Sequence, residues 1–384
     1  MGRLRYFTAG ESHGEMLVGI LDGMPAGLSL IAERDIDPIL RDRQSGYGRS
    51  HRQQIEDDKA KIVSGVRFGL TTGAPIAVLI ENKDWKNWSE KMAVAGVQPD
   101  DLKRITIPRP GHVDYAGGIK YKHTDDLRNA FERASARETA MRVALGAIAS
   151  KLLNELGIYS ISYVRSIGNV SASYVIPTPQ FFGAGSVRND ILTSQLRTLD
   201  IEAEKKMIAL IDDAKEKGDT LGGVVETIFY GMPIGIGNQM QWDRKLDGLI
   251  AQAVMSIQAV KSVEIGGGKK LAEQFGSESH DGFIIDESGV RHSSNNSGGI
   301  EGGVSNGEPI IVRAAMKPIS TLMQPLPSFD FATGKPTEAH IERSDVCAVP
   351  ALSVIVENVV ALTLADAILD TYGGDTMTQL LERI

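Results

Sequence analysis

Residues 107 to 142 read IPRPGHVDYAGGIKYKHTDDLRNAFERASARETAMR, and the rest of the chain is organised around them. Pro110 fixes its own φ and pushes Arg109 toward an extended conformation, while Gly111 lets the backbone turn or approach a ligand. His112 is therefore presented from an irregular segment rather than from a helix face. Asp114 and Tyr115 follow, and Gly117-Gly118 breaks the run. Behind Asp125, a residue type suited to an N-cap, the pattern predicts one long helix from Leu127 to about Leu156, stopped by Gly157. Its start carries Arg128, Arg133, Ser135, Arg137, Glu138 and Arg142. Arg133 and Arg137 are four apart and share a face, where like charges repel unless an anion lies against them. A bound phosphate or carboxylate is one reading, and a solvated face is the other. The later half of the helix is apolar on most sides (Ala144, Leu145, Ile148, Leu152, Leu153), the mark of a buried helix whose leading arginines face a cavity.

Working outward, short strands are expected at 4–9, 16–22, 61–66, 74–81, 158–170, 222–230 and 309–316. Helices are expected at 33–43, 200–217 and 244–261, and after Pro350, which suits a first turn. Residues 83 to 104, with Trp85 and Trp88, read as a lid-like excursion, and 371 to 384 as a fraying tail. Strands mix with a few buried helices without regular βα alternation. That pattern predicts an α+β fold with helices packed between sheets, as a single domain over 1–384. Gly-x-Pro-Ile recurs at 73–76, 231–234 and 307–310 and hints at an internal repeat.

Net charge is −8 and the pI near 5.5, which speaks against nucleic acid as the default partner. The single cysteine, Cys347, permits no intramolecular disulfide and fits a reducing compartment. It reads as a small buried residue rather than a nucleophile. No apolar signal region opens the sequence and no run approaches a membrane span, so a cytoplasmic protein is expected. Glycines number 41 of 384, about 11% against a usual ~7%. They cluster beside polar residues, as at Gly10-Glu-Ser-His-Gly14 and Gly298 to Gly303, in loops suited to a ligand. Residues 41 to 52 hold four arginines, a histidine and a tyrosine, an anion-binding loop by guanidinium chemistry. Neither a P-loop nor a strand-linked G-x-G-x-x-G occurs, and no histidine pair has helical i, i+4 spacing, so a metal site has little support. Two loop histidines among arginines and glycines suggest acid–base work on a small phosphorylated or carboxylated substrate. An RNA binder using residues 41 to 52 is the non-enzymatic alternative.

The ordered set Gly10-Glu-Ser-His-Gly14, Arg109-Pro-Gly-His112, Arg133 to Arg142, Trp242-Asp-Arg-Lys245, Ser256-Ile-Gln-Ala259, Asn295 to Gly303, Met316-Lys-Pro-Ile319 and Glu342-Arg-Ser-Asp345 resembles the signature segments of the chorismate synthase family. The resemblance runs across nearly the whole chain. It implies a lyase that converts 5-enolpyruvylshikimate 3-phosphate to chorismate and phosphate by anti-1,4-elimination, requiring reduced FMN (FMNH2) with no net redox change. It also implies a homotetramer of β-α-β sandwich subunits, with a helical layer between two antiparallel sheets. An external flavin reductase system and an association with NADP come with it, since no appended reductase region is seen. By the same resemblance His13 protonates the departing phosphate, His112 sits at the flavin, and Asp345 assists proton removal through the flavin N5. Arg43, Arg49, Arg52, Arg109 and Arg137 are placed to clamp the substrate's phosphate and carboxylates. Arg133, Ala134, Ser135, Gln258, Ala259, Gly302, Lys317, Pro318, Ile319, Ser320, Thr321 and Arg343 match the FMN-contacting segments. Val113 stands where Ala is usual, and residues 266 to 280 follow the family's glycine loop only loosely.

Overall fold

The computed structural model describes residues 3–49, 57–99, 101–173, 187–287, 289–341 and 344–384. Strands β1 (Arg5–Ala9), β2 (Met16–Asp22), β3 (Ala60–Ser64) and β4 (Ile76–Glu81) pair antiparallel in the order β1-β2-β4-β3. Their period-2 pattern buries one face. Leu17 and Leu21 of β2, and Ile76, Val78 and Ile80 of β4, point inward, while Phe7 of β1 is exposed. A second antiparallel sheet contains β5 (Tyr159–Ile167), β6 (Val170–Ser171), β7 (Gly223–Tyr230), β8 (Val260–Ile265) and β9 (Ile310–Met316), in the order β8-β9-β7-β5-β6. This sheet is buried on both faces. One joins the main core through Val225 and Phe229, and the other packs Ile161, Tyr163, Ile228 and Tyr230 into a smaller cluster with Ile191. Setting aside the two-residue β6, both sheets run first–second–fourth–third in chain order. Gly73-Ala-Pro-Ile76 and Gly307-Glu-Pro-Ile310 each end on the first residue of the fourth strand.

The main helices are α1 (Asp37–Gln44), α2 (Asp114–Tyr121), α3 (Arg128–Ala134), α4 (Thr139–Glu155), α5 (Ile201–Glu216), α6 (Leu246–Met255) and α7 (Val349–Tyr372). Two of them, α4 and α7, are apolar nearly all round and pack on one another. Helix α4 also lies against β1, β2 and β4, and α7 against β5 and β7. Their approach is close because Gly146 of α4 has no side chain. A Cβ there would collide with the backbone of Asn358 on α7, and one at Gly19 of β2 would collide with Met141 of α4. Pro350 sits in the first turn of α7, where its missing N–H is harmless. Among the described residues, α7 is the one helix long and apolar enough to cross a membrane, and its apolar window is 89% buried. Each fully buried Val, Leu or Ile contributes about 1.5–3 kcal/mol, so the helix pair anchors the core.

The mixture of helices and antiparallel sheets is the α+β class expected. Several local expectations are corrected. The predicted 127–156 helix is broken at Ser135, whose backbone is extended (φ −62, ψ 143) and whose Oγ accepts from the Arg137 amide. A short 3-10 turn, Ala136–Glu138, intervenes before α4. Arg133 and Arg137 therefore share no helix face. Asp126, not Asp125, accepts from the Arg128 amide at the start of α3. Gly117-Gly118 lies inside α2 instead of breaking the run, and the missing Cβ of Gly118, which would stand 2.6 Å from Leu127, leaves room for that side chain. The 244–261 helix stops at Met255, and Val260–Ile265 is β8, with Ala259 at φ +66 making the turn. The tail does not fray: Met377–Leu381 is helical, Leu380 is fully buried, and Ala26 exchanges backbone hydrogen bonds with Asp375 and Met377.

Candidate active site

Helix α3 is short, but its residues face two histidines. The chain after β1 turns so that the Ser12 amide donates to the Glu132 carbonyl (3.1 Å) and the His13 amide to the Glu132 carboxylate (2.9 Å). The same carboxylate takes His13 Nδ1 at 2.8 and 3.0 Å and Arg128 Nη1 at 2.9 Å. Glu132 is 3% exposed. Burial disfavours its charge, but the hydrogen bond and charge of His13, with Arg128 behind, outweigh that and hold the carboxyl below its usual range. Above the imidazole, Trp88 stacks at 3.8 Å between ring centroids, its indole N–H tied to Asp84 and the Arg128 guanidinium over its ring at 5.1 Å. The 83–104 excursion thus brings a flat aromatic wall onto His13.

The second histidine is built locally. The Arg109–His112 turn, with Gly111 at φ +77, returns His112 Nδ1 to Asp114 at the start of α2. Asp114 is 1% exposed and also accepts from the Arg109 amide (3.0 Å), Nε (2.8 Å) and Nη2 (3.1 Å). Arginine only donates, so the Arg109–His112 approach of 3.2 Å is two donors converging on one carboxylate. Burial opposes ionisation of Asp114, yet the hydrogen bonds from His112 and Arg109 and their charges drive its pKa far below the ordinary value. Phe131 of α3 joins the two centres, with Arg109 over its ring at 4.7 Å, Arg128 at 5.4 Å and the His112 ring edge-on at 6.5 Å.

Around this pair lie further predicted residues. Arg133 turns to the Thr8 carbonyl (2.7 Å) and hydroxyl (2.8 Å), Ala134 ends α3, and Ser135 Oγ meets Ser12 Oγ at 3.2 Å. Gln258 donates to Glu138, which also holds Thr8 and Arg142. Burial works against the Glu138 charge, but Arg142 and these donors keep its pKa lowered. Ala259 accepts from the Lys317 amide (3.0 Å), and Lys317 Nζ donates to the Gly111 carbonyl. Ser320 lies beside Gly111, whose missing Cβ would be 3.5 Å from its own. Pro318 and Ile319 pass Gly222 and Thr220, and the Thr321 carbonyl accepts from Ser344 (2.9 Å). The 317–321 segment thereby links the His112 turn to Asp345, which pairs with Arg49 at 2.8 Å.

Arg43 and Arg137 meet elsewhere, on Asp58. Arg137 Nη1 is 2.6 Å and Arg43 Nη1 3.7 Å from the same oxygen, and Arg43 also reaches Thr139. Two guanidiniums brought together in this way suit an anionic ligand. Arg52 and Arg343 fall outside the described residues. Gly302 lines a cavity of ≈ 630 Å³ with Leu271, His280 and Asp281, none of them part of the histidine centres. Cys347 is buried, which pushes its thiol up to about 11 and removes it as a nucleophile at neutral pH. Among the described residues no three His, Cys, Asp or Glu gather as metal ligands. Sequence reasoning missed Glu132 and Asp58, and it singled out Trp88 and Arg128 without joining them to His13. Asp114 had a signal, a carboxylate two residues after the histidine, whereas the others are brought in by tertiary contacts from distant positions.

Two histidines on buried carboxylates, each carboxylate also held by an arginine, stand together on an α+β scaffold as a candidate active site of an enzyme. A chorismate synthase family model matches residues 4–369. The chain is 49% identical to chorismate synthase from Geobacter metallireducens, covering 98% of this chain and 96% of that one. It is 50% identical to chorismate synthase from Chlorobaculum tepidum, covering 99% and 96%. A crystal structure of chorismate synthase superimposes with a TM-score of 0.78 at 42% identity, over 99% of this chain and 96% of that chain. The chain belongs to the chorismate synthase family, lyases that form chorismate in the shikimate pathway.

Proposed function

We propose that the protein eliminates phosphate from 5-enolpyruvylshikimate 3-phosphate to give chorismate, by anti-1,4-elimination and with reduced FMN bound. The observation that carries the reading is that His13 and His112 each meet a buried carboxylate through Nδ1, with Phe131 packed against His112 and against Arg128, the arginine that shares Glu132 with His13. The C–O bond to phosphate and one ring C–H bond break, and no net oxidation results. Arg43, Arg49, Arg109 and Arg137 hold the substrate's anionic groups, and the buried Arg49 Nε, without a hydrogen-bond partner among the described residues, suits such a contact. His13 holds the proton that the departing phosphate takes. Asp345, fixed by Arg49, serves on the side where the ring proton is lost.

The residues fit the flavin. Gln258 Oε1 is a buried acceptor with no partner among the described residues, and it lies between Glu138 and the Ala259–Lys317 contact. A buried acceptor left so costs about 1–3 kcal/mol, which an N–H or hydroxyl of the cofactor would recover. Ala259 is held at φ +66, a strained backbone of the kind found at ligand clamps. Arg133, Ala134, Ser135, Gln258, Ala259 and Lys317 to Thr321 would hold the group, with His112 beside it, whereas Gly302 lines the separate cavity with Leu271 and His280. When bound there, reduced FMN would supply the electron density that an elimination of this kind needs.

Further parts of the reading rest on the family resemblance: a cytoplasmic homotetramer, fed reduced flavin by an external reductase drawing on NADP. The architecture reads as one β-α-β sandwich over 1–384 with an internal pseudo-repeat, supported by the shared strand order and the two Gly-x-Pro-Ile entries. The test is anaerobic turnover of the substrate with chemically reduced FMN, following chorismate and phosphate together. Equal release that depends on reduced flavin is expected. Tight flavin binding without turnover would mean that the scaffold is right and the chemistry misassigned.

A further inference from the structure

His13 is held from three directions by atoms of the chain itself. Its amide and its ring Nδ1 both meet the Glu132 carboxylate, at 2.9 Å and at 2.8 and 3.0 Å, and Trp88 covers its face at 3.8 Å. Two bonds from one residue to one carboxylate fix the side-chain torsions as well as the position of the ring. Glu132 is itself locked by Arg128 Nη1 at 2.9 Å and by the helix that carries it. An ionised carboxylate has no hydrogen to give, so the proton of this bond belongs to the imidazole. A histidine whose Nδ1 donates to a carboxylate exchanges protons through its other nitrogen, and the hydrogen bond decides which nitrogen that is.

We propose that Glu132 is the positioning residue of His13, fixing its Nδ1–H tautomer so that proton exchange takes place at Nε2. Trp88 completes the fixture by preventing the ring from rotating out of the plane of that bond. The proposal rests on the reading of His13 as the proton donor to phosphate and adds the group that orients it. Glu132 touches neither phosphate nor flavin in this assignment. Its effect passes through His13, so its loss acts on turnover more than on affinity.

The experiment uses the full chain labelled with 15N-histidine, assigned by comparison with His13→Ala. Long-range 1H–15N correlations in the alkaline plateau of the ring titration read the tautomer directly, without flavin or substrate. The wild-type His13 ring is expected to carry its proton on Nδ1, and Glu132→Gln to give a mixture or the opposite tautomer. In turnover, Glu132→Gln is expected to lower kcat by about 10- to 1,000-fold, the scale of a misoriented acid–base group, with little change in KM. Glu132→Asp keeps the charge at a shorter reach and should recover part of the loss. A wild-type ring protonated on Nε2 overturns the proposal whether or not any variant folds. So does Glu132→Gln with an unchanged tautomer and full kcat. Full activity of His13→Ala, with the Nδ1–H tautomer still observed, would instead remove His13 from the reaction and leave the assignment of Glu132 standing.

Discussion

His13 and His112 meet their carboxylates in the same way and reach them by different routes. Each puts Nδ1 against a buried acid that an arginine also holds, Arg128 on Glu132 and Arg109 on Asp114. The His112 unit closes on itself within six residues, Arg109 to Asp114. The His13 unit joins a loop after β1 to a helix 119 residues later and borrows Trp88 from a third segment. One is a local turn that a Pro-Gly pair pre-forms, and the other exists only when the tertiary fold does. Local construction should make the His112 centre sensitive to changes in its own turn. The His13 centre should follow the packing of α3 and the 83–104 excursion.

The largest expected effect would break the comparison outright. His13→Ala and His112→Ala should each slow turnover by about 100- to 10,000-fold, the range for a lost acid–base group. A variant that turns over at a near-normal rate would mean that its histidine shares the geometry but not the chemistry.

Asp114→Asn comes next. Breaking a buried, arginine-paired charge costs about 3–5 kcal/mol. Chemical denaturation near neutral pH should show a loss of that size. The sign of its pH dependence follows from the lowered folded-state pKa of Asp114. The stabilisation is complete above the unfolded carboxylate value of about 4 and is lost as pH falls through the folded value. Denaturation midpoints between pH 3 and 6 should therefore fall more steeply toward acid for the wild type than for Asp114→Asn. Parallel curves would mean that Asp114 contributes no such linkage.

The smallest effect is at Trp88. Removing its stack on His13 by Trp88→Ala should cost about 0.5–1.5 kcal/mol of stability, the value of an aromatic pair. The same measurement should show no loss if the 83–104 excursion lies away from His13 in solution.

The contrast between the two histidines also explains what could be read from the sequence. Arg109-Pro-Gly-His112 and Asp114 are neighbours, so their cluster was within reach of local reasoning, as were the apolar runs of α4 and α7. Glu132 carried no such mark, because its partner lies at position 13 and only strand and helix packing joins them. Ser135 broke the long helix because its hydroxyl caps the next turn, a competition that periodicity does not register. The expected helix runs on to the first residues of β8 because 244–261 is mostly apolar, and the turn between them rests on Ala259 in a left-handed conformation that composition does not signal. The tail is polar enough in composition to predict fraying, yet Met377 and Leu380 anchor it against the core.

Helix α7 has a consequence for how the protein is made. It follows both sheets in the chain, and the faces of α4, β5 and β7 that it covers are synthesised before it. On the ribosome those apolar surfaces emerge with their cover still untranslated. The nascent chain must hold a wide unsealed interior until residues 349 to 372 leave the exit tunnel, a state prone to aggregation and attractive to chaperones. A product truncated before α7 would keep every residue of the proposed site, Asp345 included, and would have no core on which to hold them.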